Sequence, residues 1–317
     1  MNTRKHIVVG TGALGRNVAA CLADQGILPT LVNRSGKSVG PWPTVSCDVS
    51  DPAALSALLI EPVTLYICSA PPYWRWKDDF PAMVEGIVQA TAGRDVRIVL
   101  ADNVYAYGRS ETPFKEGQSA RPCSRKGEVR RAVAERLMAL NEKGQVRVTV
   151  VRAATFFGPW VEQSSVGRSV FETALNAKAT YIIGDPKVAH AFTYVPDFAV
   201  ALLRIAQEDS AFGHYWHAPS HNVASMHLFL EMVARQGRGE LKIKRAGPLM
   251  MRFIGLFNPA MRELVEMQYL FDSPWGLSSA LTERTFQLAS TPLETAISRT
   301  AEWVREQPGS SAHSTRI

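Results

Sequence analysis

A glycine-rich turn between a predicted strand and a predicted helix constrains the fold of this chain more than any other feature. The turn reads Gly10-Thr11-Gly12-Ala13-Leu14-Gly15. It follows the run Ile7-Val8-Val9 and precedes apolar residues at helical spacing, which end near Gly26. In such a turn the first glycine permits the tight bend, the second lets the backbone approach a bound group, and the third lets the helix pack on the strand. Free amides at the helix start attract phosphates, so these six residues predict a dinucleotide site.

Strands and helices alternate after this turn. Amphipathic helices separate buried apolar runs at residues 31–32, 65–68, 98–100 and 148–151. The alternation predicts an α/β fold, a Rossmann doubly wound parallel sheet with a smaller, mostly helical C-terminal substrate domain. The predicted dinucleotide-binding domain is 1–158 with 180–207 returning to it, the substrate domain is 159–179 and 208–307, and the flexible tail is 308–317. The run Thr291-Pro292-Leu293-Glu294 predicts a capping box before the last helix.

The end of the second strand bears on which dinucleotide is bound. Sites for NAD usually carry an acidic residue there, about 20 residues after the glycine turn, to hold the ribose 2′-hydroxyl. This chain instead reads Asn33-Arg34-Ser35-Gly36-Lys37. A guanidinium at Arg34 suits a 2′-phosphate, so NADP(H) is the preferred cofactor and NAD(H) remains possible. Asp48 and Val49 are predicted to border the adenine, and the adenosine side is predicted to be lined by Ser69, Ala70 and Pro71.

Charge and composition exclude several classes of protein. The 317 residues carry 35 Lys and Arg against 29 Asp and Glu, a net charge of +6, and a cofactor phosphate is a sufficient anionic partner for that excess. No motif indicates nucleic acid, and no apolar run is long enough for a membrane span. The four separated cysteines indicate neither a disulfide framework nor a metal site. We therefore expect a cytoplasmic protein with a small-molecule substrate and no metal, nucleic-acid or membrane partner.

Three further motifs carry a resemblance to a known family. They are Val104-Tyr105-Ala106-Tyr107-Gly108, Phe156-Phe157-Gly158-Pro159 and Ala191-Phe192-Thr193-Tyr194-Val195-Pro196-Asp197. With the glycine turn, and in this order, they resemble the extended short-chain dehydrogenase/reductases, especially the NAD-dependent epimerase/dehydratase group. The resemblance implies a seven-stranded Rossmann domain, cofactor contact at Phe156, and a homodimer formed through the helices that precede strands five and six.

The catalytic centre departs from the family pattern. The family's chemistry uses a tyrosine and a lysine at YxxxK, and this alignment places Gly127 and Arg131 there, with Asn103 at the usual Ser or Thr position. The nearest replacements are Tyr105 as the proton donor and Lys126 as the cation. Asn103 could donate a hydrogen bond to a substrate carbonyl, and Arg131 could hold the nicotinamide ribose. These four residues are the predicted catalytic set.

Three functions fit these observations. The first is an NADP(H)-dependent oxidoreductase that acts on a carbonyl or alcohol of a small, apolar or aromatic substrate. The aromatic segment 71–76 and the apolar segment 249–254 are candidate pocket walls, and Arg75 could meet an anion. The second is a non-catalytic NADP(H)-binding sensor or regulator. The third, a nucleotide-sugar epimerase or dehydratase, is disfavoured because Ala101-Asp102-Asn103 lacks the Thr-Asp-Glu step of the dehydratases.

Overall fold

Seven parallel strands form the main sheet of this computed structural model, which describes residues 4–246, 263 and 265–307. The strands in chain order are β1 (Lys5–Val9), β2 (Thr30–Asn33), β3 (Thr44–Ser46), β4 (Val63–Ile67), β5 (Val96–Asn103), β6 (Arg147–Ala153), β7 (Thr155–Phe157), β8 (Ala179–Ile183), β9 (His190–Tyr194), β10 (Tyr215–His217), β11 (His221–Val223) and β12 (Lys242–Ala246). The order across the main sheet is β10-β6-β5-β4-β1-β2-β3. The predicted Rossmann sheet is confirmed, and its strand order reverses between β1 and β4, where such sheets open a ligand crevice.

Helices cover both faces of this sheet. The α-helices of the described chain are α1 (Ala13–Asp24), α2 (Pro52–Leu58), α3 (Trp76–Thr91), α4 (Arg125–Glu142), α5 (Arg168–Leu175), α6 (Val195–Gln207), α7 (Met226–Arg235), α8 (Tyr269–Asp272), α9 (Ala280–Phe286) and α10 (Leu293–Glu306). Apolar side chains of α2, α3 and α4 pack on one face, and those of α1 and α6 pack on the other. Strands buried on both faces explain the continuous apolar runs in the sequence.

Two helix starts show different capping. Asp51 caps α2, since its carboxylate accepts hydrogen bonds from the amides of Ala53 and Ala54 at 2.9 and 3.2 Å. The capping box predicted for the last helix is wrong. Thr291 donates its amide and hydroxyl to the carboxylate of Asp197, at 2.8 and 2.7 Å. These bonds fasten the start of α10 to the first turn of α6 instead of capping the helix.

Strand pairing departs from the predicted division of the chain at two places. Within residues 180–207, β8 pairs with β12 and β9 pairs with β7 and β11 in two smaller sheets, so α6 is the part that covers the main sheet. Within residues 208–307, β10 joins the edge of the main sheet beside β6. The predicted pocket segment 249–254 and the tail 308–317 lie outside the described residues. Among the described helices, none has the length and apolar character to cross a membrane.

Candidate functional site

The three glycines of the turn have different surroundings. Gly10 has φ +103°, and a Cβ there would lie 2.8 Å from the Cβ of Ser69. A Cβ at Gly15 would lie 1.9 Å from the carbonyl oxygen of Gly10, because α1 packs directly on the turn. A Cβ at Gly12 would meet nothing within 4 Å. The turn thus closes at its two ends and leaves open space in front of its middle glycine.

A cleft of about 350 Å³ opens at the start of α1. It is lined by Thr11, Gly12, Ala13, Arg16, Phe156, Trp160, Val161, Glu162, Gln163 and Gln307. The Arg16 Nε donates a hydrogen bond to the Thr11 carbonyl at 3.1 Å, which fixes a positive charge beside the turn. An open backbone, a helix N-terminus and a guanidinium fit the phosphates of a dinucleotide. Leu14 instead packs against the core behind the turn.

Arg16 was missed by the sequence interpretation, although it directly follows the glycine turn. A basic residue in the first turn of the first helix is an available signal, because that turn faces any bound phosphate.

Hydrogen bonds fix the loop that follows β2. The Asn33 amide donates to the Thr11 hydroxyl at 3.3 Å and to the Lys37 carbonyl at 2.9 Å, and the Ser35 hydroxyl donates to the Asn33 side chain at 3.1 Å. These bonds tie the loop to the glycine turn and leave the Arg34 side chain exposed. Arg34 therefore stands at the cofactor end of the sheet with its guanidinium accessible.

The other residues predicted to contact the cofactor differ in burial and in hydrogen bonding. The Asp48 carboxylate accepts hydrogen bonds from the hydroxyl and amide of Ser50, which lower its pKa, and the charge of Arg34 lowers it further. The Val49 side chain is buried in the core, 7% exposed. Ser69, Ala70 and Pro71 follow β4 directly, so the turn, Asp48 and this segment lie at one edge of the sheet.

Three of the four predicted catalytic residues border one region, at the end of β5 and the start of α4. The Asn103 side chain accepts a hydrogen bond from the Tyr105 amide at 3.0 Å. Burial raises the pKa of the Tyr105 phenol. Lys126 is 4% exposed, its Nζ lies 2.5 Å from a carboxylate oxygen of Glu263, and it stands 4.9 Å from the ring centroid of Tyr73.

Arg131 is not brought to this region. Its guanidinium is paired with Glu128 at 2.8 Å, and its side chain is 39% exposed on the outer face of α4. At Gly127, the family's tyrosine position, a Cβ would lie 2.5 Å from the carbonyl oxygen of Tyr105. Because that oxygen is backbone, the position cannot take a larger side chain without moving the turn. The inward cations of α4 are Lys126 and Arg130.

A buried ionic network beneath α4 was not anticipated. Asp102 is bound by the Nε atoms of Arg130 and Arg152, at 2.5 and 3.0 Å, and all three side chains are at most 5% exposed. Burial opposes ionisation of Asp102, but the two arginines outweigh it and hold the pKa of the carboxyl below its usual value. In the sequence, this network is indicated only by Asp102 and Arg152, the charged residues that follow the apolar runs of β5 and β6. The network fixes α4 to the sheet.

A second buried polar chain adjoins this network. The His217 Nδ1 lies 2.7 Å from the Ser278 carbonyl, to which it must donate, and its Nε2 therefore accepts from the Tyr107 hydroxyl at 2.6 Å. Burial lowers the pKa of His217 to about 4, so this histidine is neutral at pH 7. The buried hydroxyl of Tyr107 is therefore hydrogen-bonded, and Tyr107 has a structural role.

The aromatic segment after β4 faces the same region. Tyr73 and Trp76 pack edge to face at 5.0 Å between ring centroids, and Trp76 lies 6.1 Å from Tyr105. Arg75, predicted to meet an anion, is instead paired with Asp79 at 2.6 Å in the first turn of α3. Among the described residues, no cluster of three or more His, Cys, Asp or Glu could hold a metal ion.

The sheet order and the covering helices define a Rossmann-like α/β protein. A model of the NAD-dependent epimerase/dehydratase family matches residues 7–217. The chain belongs to this family, as the sequence motifs indicated. No curated protein matches it.

Solved structures share the fold across nearly the whole chain. Pal from Bacillus thuringiensis is 16% identical, over 95% of this chain and 99% of that one, with a TM-score of 0.77. MoeE5 in complex with UDP-glucose and NAD is 18% identical, over 96% and 100%, with a TM-score of 0.76. UDP-glucuronic acid 4-epimerase from Bacillus cereus, in complex with UDP-glucuronic acid and NAD, is 14% identical, over 95% and 99%, with a TM-score of 0.77. At these identities the likeness concerns the fold.

Proposed function

We propose that this chain binds NADP(H) and transfers hydride to or from the carbonyl or alcohol carbon of a small, apolar or aromatic substrate. The observation that carries the proposal is the open space in front of Gly12, between two glycines that the fold itself requires. If the turn served only to pack the helix on the strand, its middle residue would not need to leave open space at a helix N-terminus, where a phosphate binds. Bound nicotinamide would supply or accept the hydride.

The residues at the sheet edge are assigned to successive parts of the dinucleotide. The amides and side chains of the glycine turn, with Arg16, would hold the phosphates. Asn33, Arg34 and Ser35 would bind the 2′-phosphate, and the adenosine would lie between Asp48-Val49 and the segment 69–71. Phe156, which lines the cleft, would border the nicotinamide half. NAD(H) is the second cofactor, since solved structures with this fold contain NAD.

Arg34→Ala should weaken NADPH binding by about tenfold or more and leave NADH binding within about twofold, because the guanidinium pairs only with the extra phosphate. Calorimetric titration with both cofactors measures the difference. Lys143→Ala is the control, because it also removes one positive charge, but from an exposed residue just after the end of α4. Equal losses of both cofactors in Arg34→Ala would refute the 2′-phosphate role.

For the proton transfer we propose Tyr105 as the donor, with Asn103 orienting the substrate oxygen and Lys126 supplying positive charge. Tyr105 is the second residue after β5, so it lies at the carboxyl edge of the sheet. Burial raises the pKa of its phenol, which keeps the proton on the residue until an oxygen anion develops beside it. Arg131 is left out of this assignment because it pairs with Glu128 on the outer face.

Tyr105→Phe should lower NADPH-dependent turnover of an aromatic aldehyde by more than about tenfold, with NADPH affinity unchanged. Loss of NADPH absorbance during screening of aromatic and aliphatic carbonyls provides the assay. Tyr181→Phe, at a side chain far more exposed than Tyr105, is the matched control. Unchanged turnover in Tyr105→Phe removes that residue from the mechanism.

Two other functions have distinct outcomes in the same experiment. The closed position at Gly127 and the ion pair between Lys126 and Glu263 favour, as the second candidate, an NADP(H)-binding regulator without turnover. Tight NADPH binding with no activity on any carbonyl would support it. The third candidate, a nucleotide-sugar epimerase or dehydratase, predicts binding of UDP-sugars such as those in the solved structures with this fold.

We further propose that the chain works as a cytoplasmic homodimer through the outer faces of α3 and α4. These helices lie side by side and are joined by a pair between Glu85 and Arg136 at 3.3 Å. Both side chains are more than 40% exposed, so they are available to a second copy. The four cysteines are free thiols, as expected in a reducing compartment.

A further inference from the structure

The cofactor cleft has a second wall, opposite the glycine turn. Residues 160–163, in the loop between β7 and α5, and Gln307, directly after α10, line this side. The loop is joined to α1, because the Asn17 side chain donates a hydrogen bond to the Pro159 carbonyl at 3.4 Å. Its backbone turns at Trp160 with φ +65°, a conformation that is rare for a bulky residue. We call residues 160–163 and Gln307 the outer wall, and none of them was predicted to contact the cofactor.

One buried arginine fixes the two segments of the outer wall to each other. Arg168, the first residue of α5, is 9% exposed. Its Nε lies 3.0 Å from each carboxylate oxygen of Glu162, and its guanidinium donates a hydrogen bond to the Gln307 carbonyl. The guanidinium also lies 4.0 Å from the ring centroid of Trp303, on α10. Because one planar group binds both segments, Arg168 sets the distance between Glu162 and Gln307.

The hydrogen bonds of the outer wall determine which groups it presents to the cleft. The Gln307 backbone amide donates to the Trp303 carbonyl at 3.2 Å, and the Gln307 backbone carbonyl is bound by Arg168, so its remaining polar group is the side-chain carboxamide. The negative charge of Glu162 is paired with Arg168. A carboxamide has two N–H donors, and the charge of Arg16 stands on the opposite wall. These groups suit an anion that lies between the two walls.

We propose that Gln307 is a cofactor-binding residue, whose carboxamide donates hydrogen bonds to the pyrophosphate across the cleft from Gly12, and that Arg168 positions it. The inference rests on the proposed binding of NADP(H) and adds a second wall to that site. The pyrophosphate occurs in both NADPH and NADH, so Gln307 contributes to the affinity for both cofactors and not to the preference between them. This separates Gln307 from Arg34, which is assigned to the 2′-phosphate.

Gln307→Ala should weaken the binding of NADPH, NADH and ADP-ribose alike, by about fivefold, because each contains the pyrophosphate. Binding of 2′-AMP, which has the 2′-phosphate but no pyrophosphate, should stay within about twofold. Calorimetric titration measures these dissociation constants. Gln307 is exposed, so the melting temperature should change by no more than about 1 °C. Gln207→Ala is the matched control, since it removes an exposed carboxamide at the end of α6, outside the cleft.

Arg168→Lys tests the positioning role. Lysine keeps the positive charge, but its single ammonium cannot bind Glu162 and Gln307 with the planar geometry of a guanidinium. We expect the affinity for NADPH to fall about as far as in Gln307→Ala, and the variant with both changes to bind no more weakly, because the two substitutions remove the same interaction. Additive losses would refute the positioning role, since a residue that only stabilises the fold acts independently of Gln307.

Two results would overturn the assignment of Gln307. One is unchanged binding of NADPH and NADH in Gln307→Ala. The other is weaker binding of both cofactors with ADP-ribose unaffected, which would place the carboxamide at the nicotinamide half. Titration of the wild type keeps this test apart from the proposed function. If the wild type binds neither cofactor, NADP(H) binding itself is refuted, whereas tight binding that Gln307→Ala leaves unchanged refutes this inference alone.

Discussion

Gly12→Ala is expected to weaken NADPH binding by at least about tenfold while the melting temperature stays within about 2 °C of the wild type. The added methyl group meets no protein atom within 4 Å, so the folded chain accommodates it. It does fill the space through which the backbone would approach a phosphate, where a few tenths of an ångström decide whether amide hydrogen bonds form. Calorimetry with NADPH and a thermal melt of the same preparation measure both quantities.

Gly15→Ala is the matched change, three residues along the same turn. Its methyl group would lie 1.9 Å from the Gly10 carbonyl oxygen and 2.9 Å from the Gly10 carbonyl carbon, so the helix and the strand must separate. We expect poor folding or a melting temperature lowered by on the order of 10 °C, from overpacking of several kcal/mol. Equal effects of the two substitutions on NADPH binding and on melting would contradict the assignment of Gly12 to the cofactor.

Asp102→Asn is expected to be the most destabilising single change in the sheet, by about 3 kcal/mol or more. The substitution leaves two buried arginines, Arg130 and Arg152, without their counter-charge. Urea or thermal unfolding measures the loss. Asp209→Asn is the control, since Asp209 is also bridged by two arginines, Arg97 and Arg147, but its side chain is 69% exposed. Solvent screens that cluster, so its replacement should cost less than about 1 kcal/mol.

The same residue predicts a pH dependence. The pKa of Asp102 is lower in the folded chain than its usual value near 4, so its stabilisation is fully present above that value and is lost as the pH falls towards the folded pKa. The free energy of unfolding of the wild type should therefore decline in acid below about pH 4–5. Asp102→Asn should show a shallower decline in that range. Parallel acid profiles of the two proteins would exclude this contribution.

The sequence predicted the main sheet and its helices because their signals are local. Buried parallel strands require continuous apolar runs, and helices that cover them require a repeat of 3.6 residues, so the pattern around Ile7, Leu14 and Leu22 is decisive by itself. The capping box at Thr291 failed because a non-local partner, Asp197, takes the same hydroxyl and amide. The place of β10 at the sheet edge likewise depends on a distant strand, β6.

The candidate site was partly predictable for the same reason. Glycine spacing and the basic residue after β2 mark the cofactor edge from sequence alone. The choice between Arg130 and Arg131 depends on the rotation of α4 about its axis, and Asp102 determines it by binding Arg130 from the sheet. The aromatic segment 71–76 was a candidate pocket wall from the sequence alone, but the packing of Tyr73 beside Lys126 could not be predicted because it depends on a residue far along the chain.

The return of the chain to the main sheet after the smaller sheets has a consequence for biosynthesis. The edge strand β10 pairs with β6, whose last residue, Ala153, lies more than sixty positions before Tyr215 in the chain. The cover of α1 by α6 is similarly delayed, because α6 starts at Val195. A nascent chain that ends near residue 158 therefore exposes the β6 edge and an apolar helix face. The ribosome must release about sixty further residues before this sheet can close, so truncated translation products should be captured by chaperones or degraded.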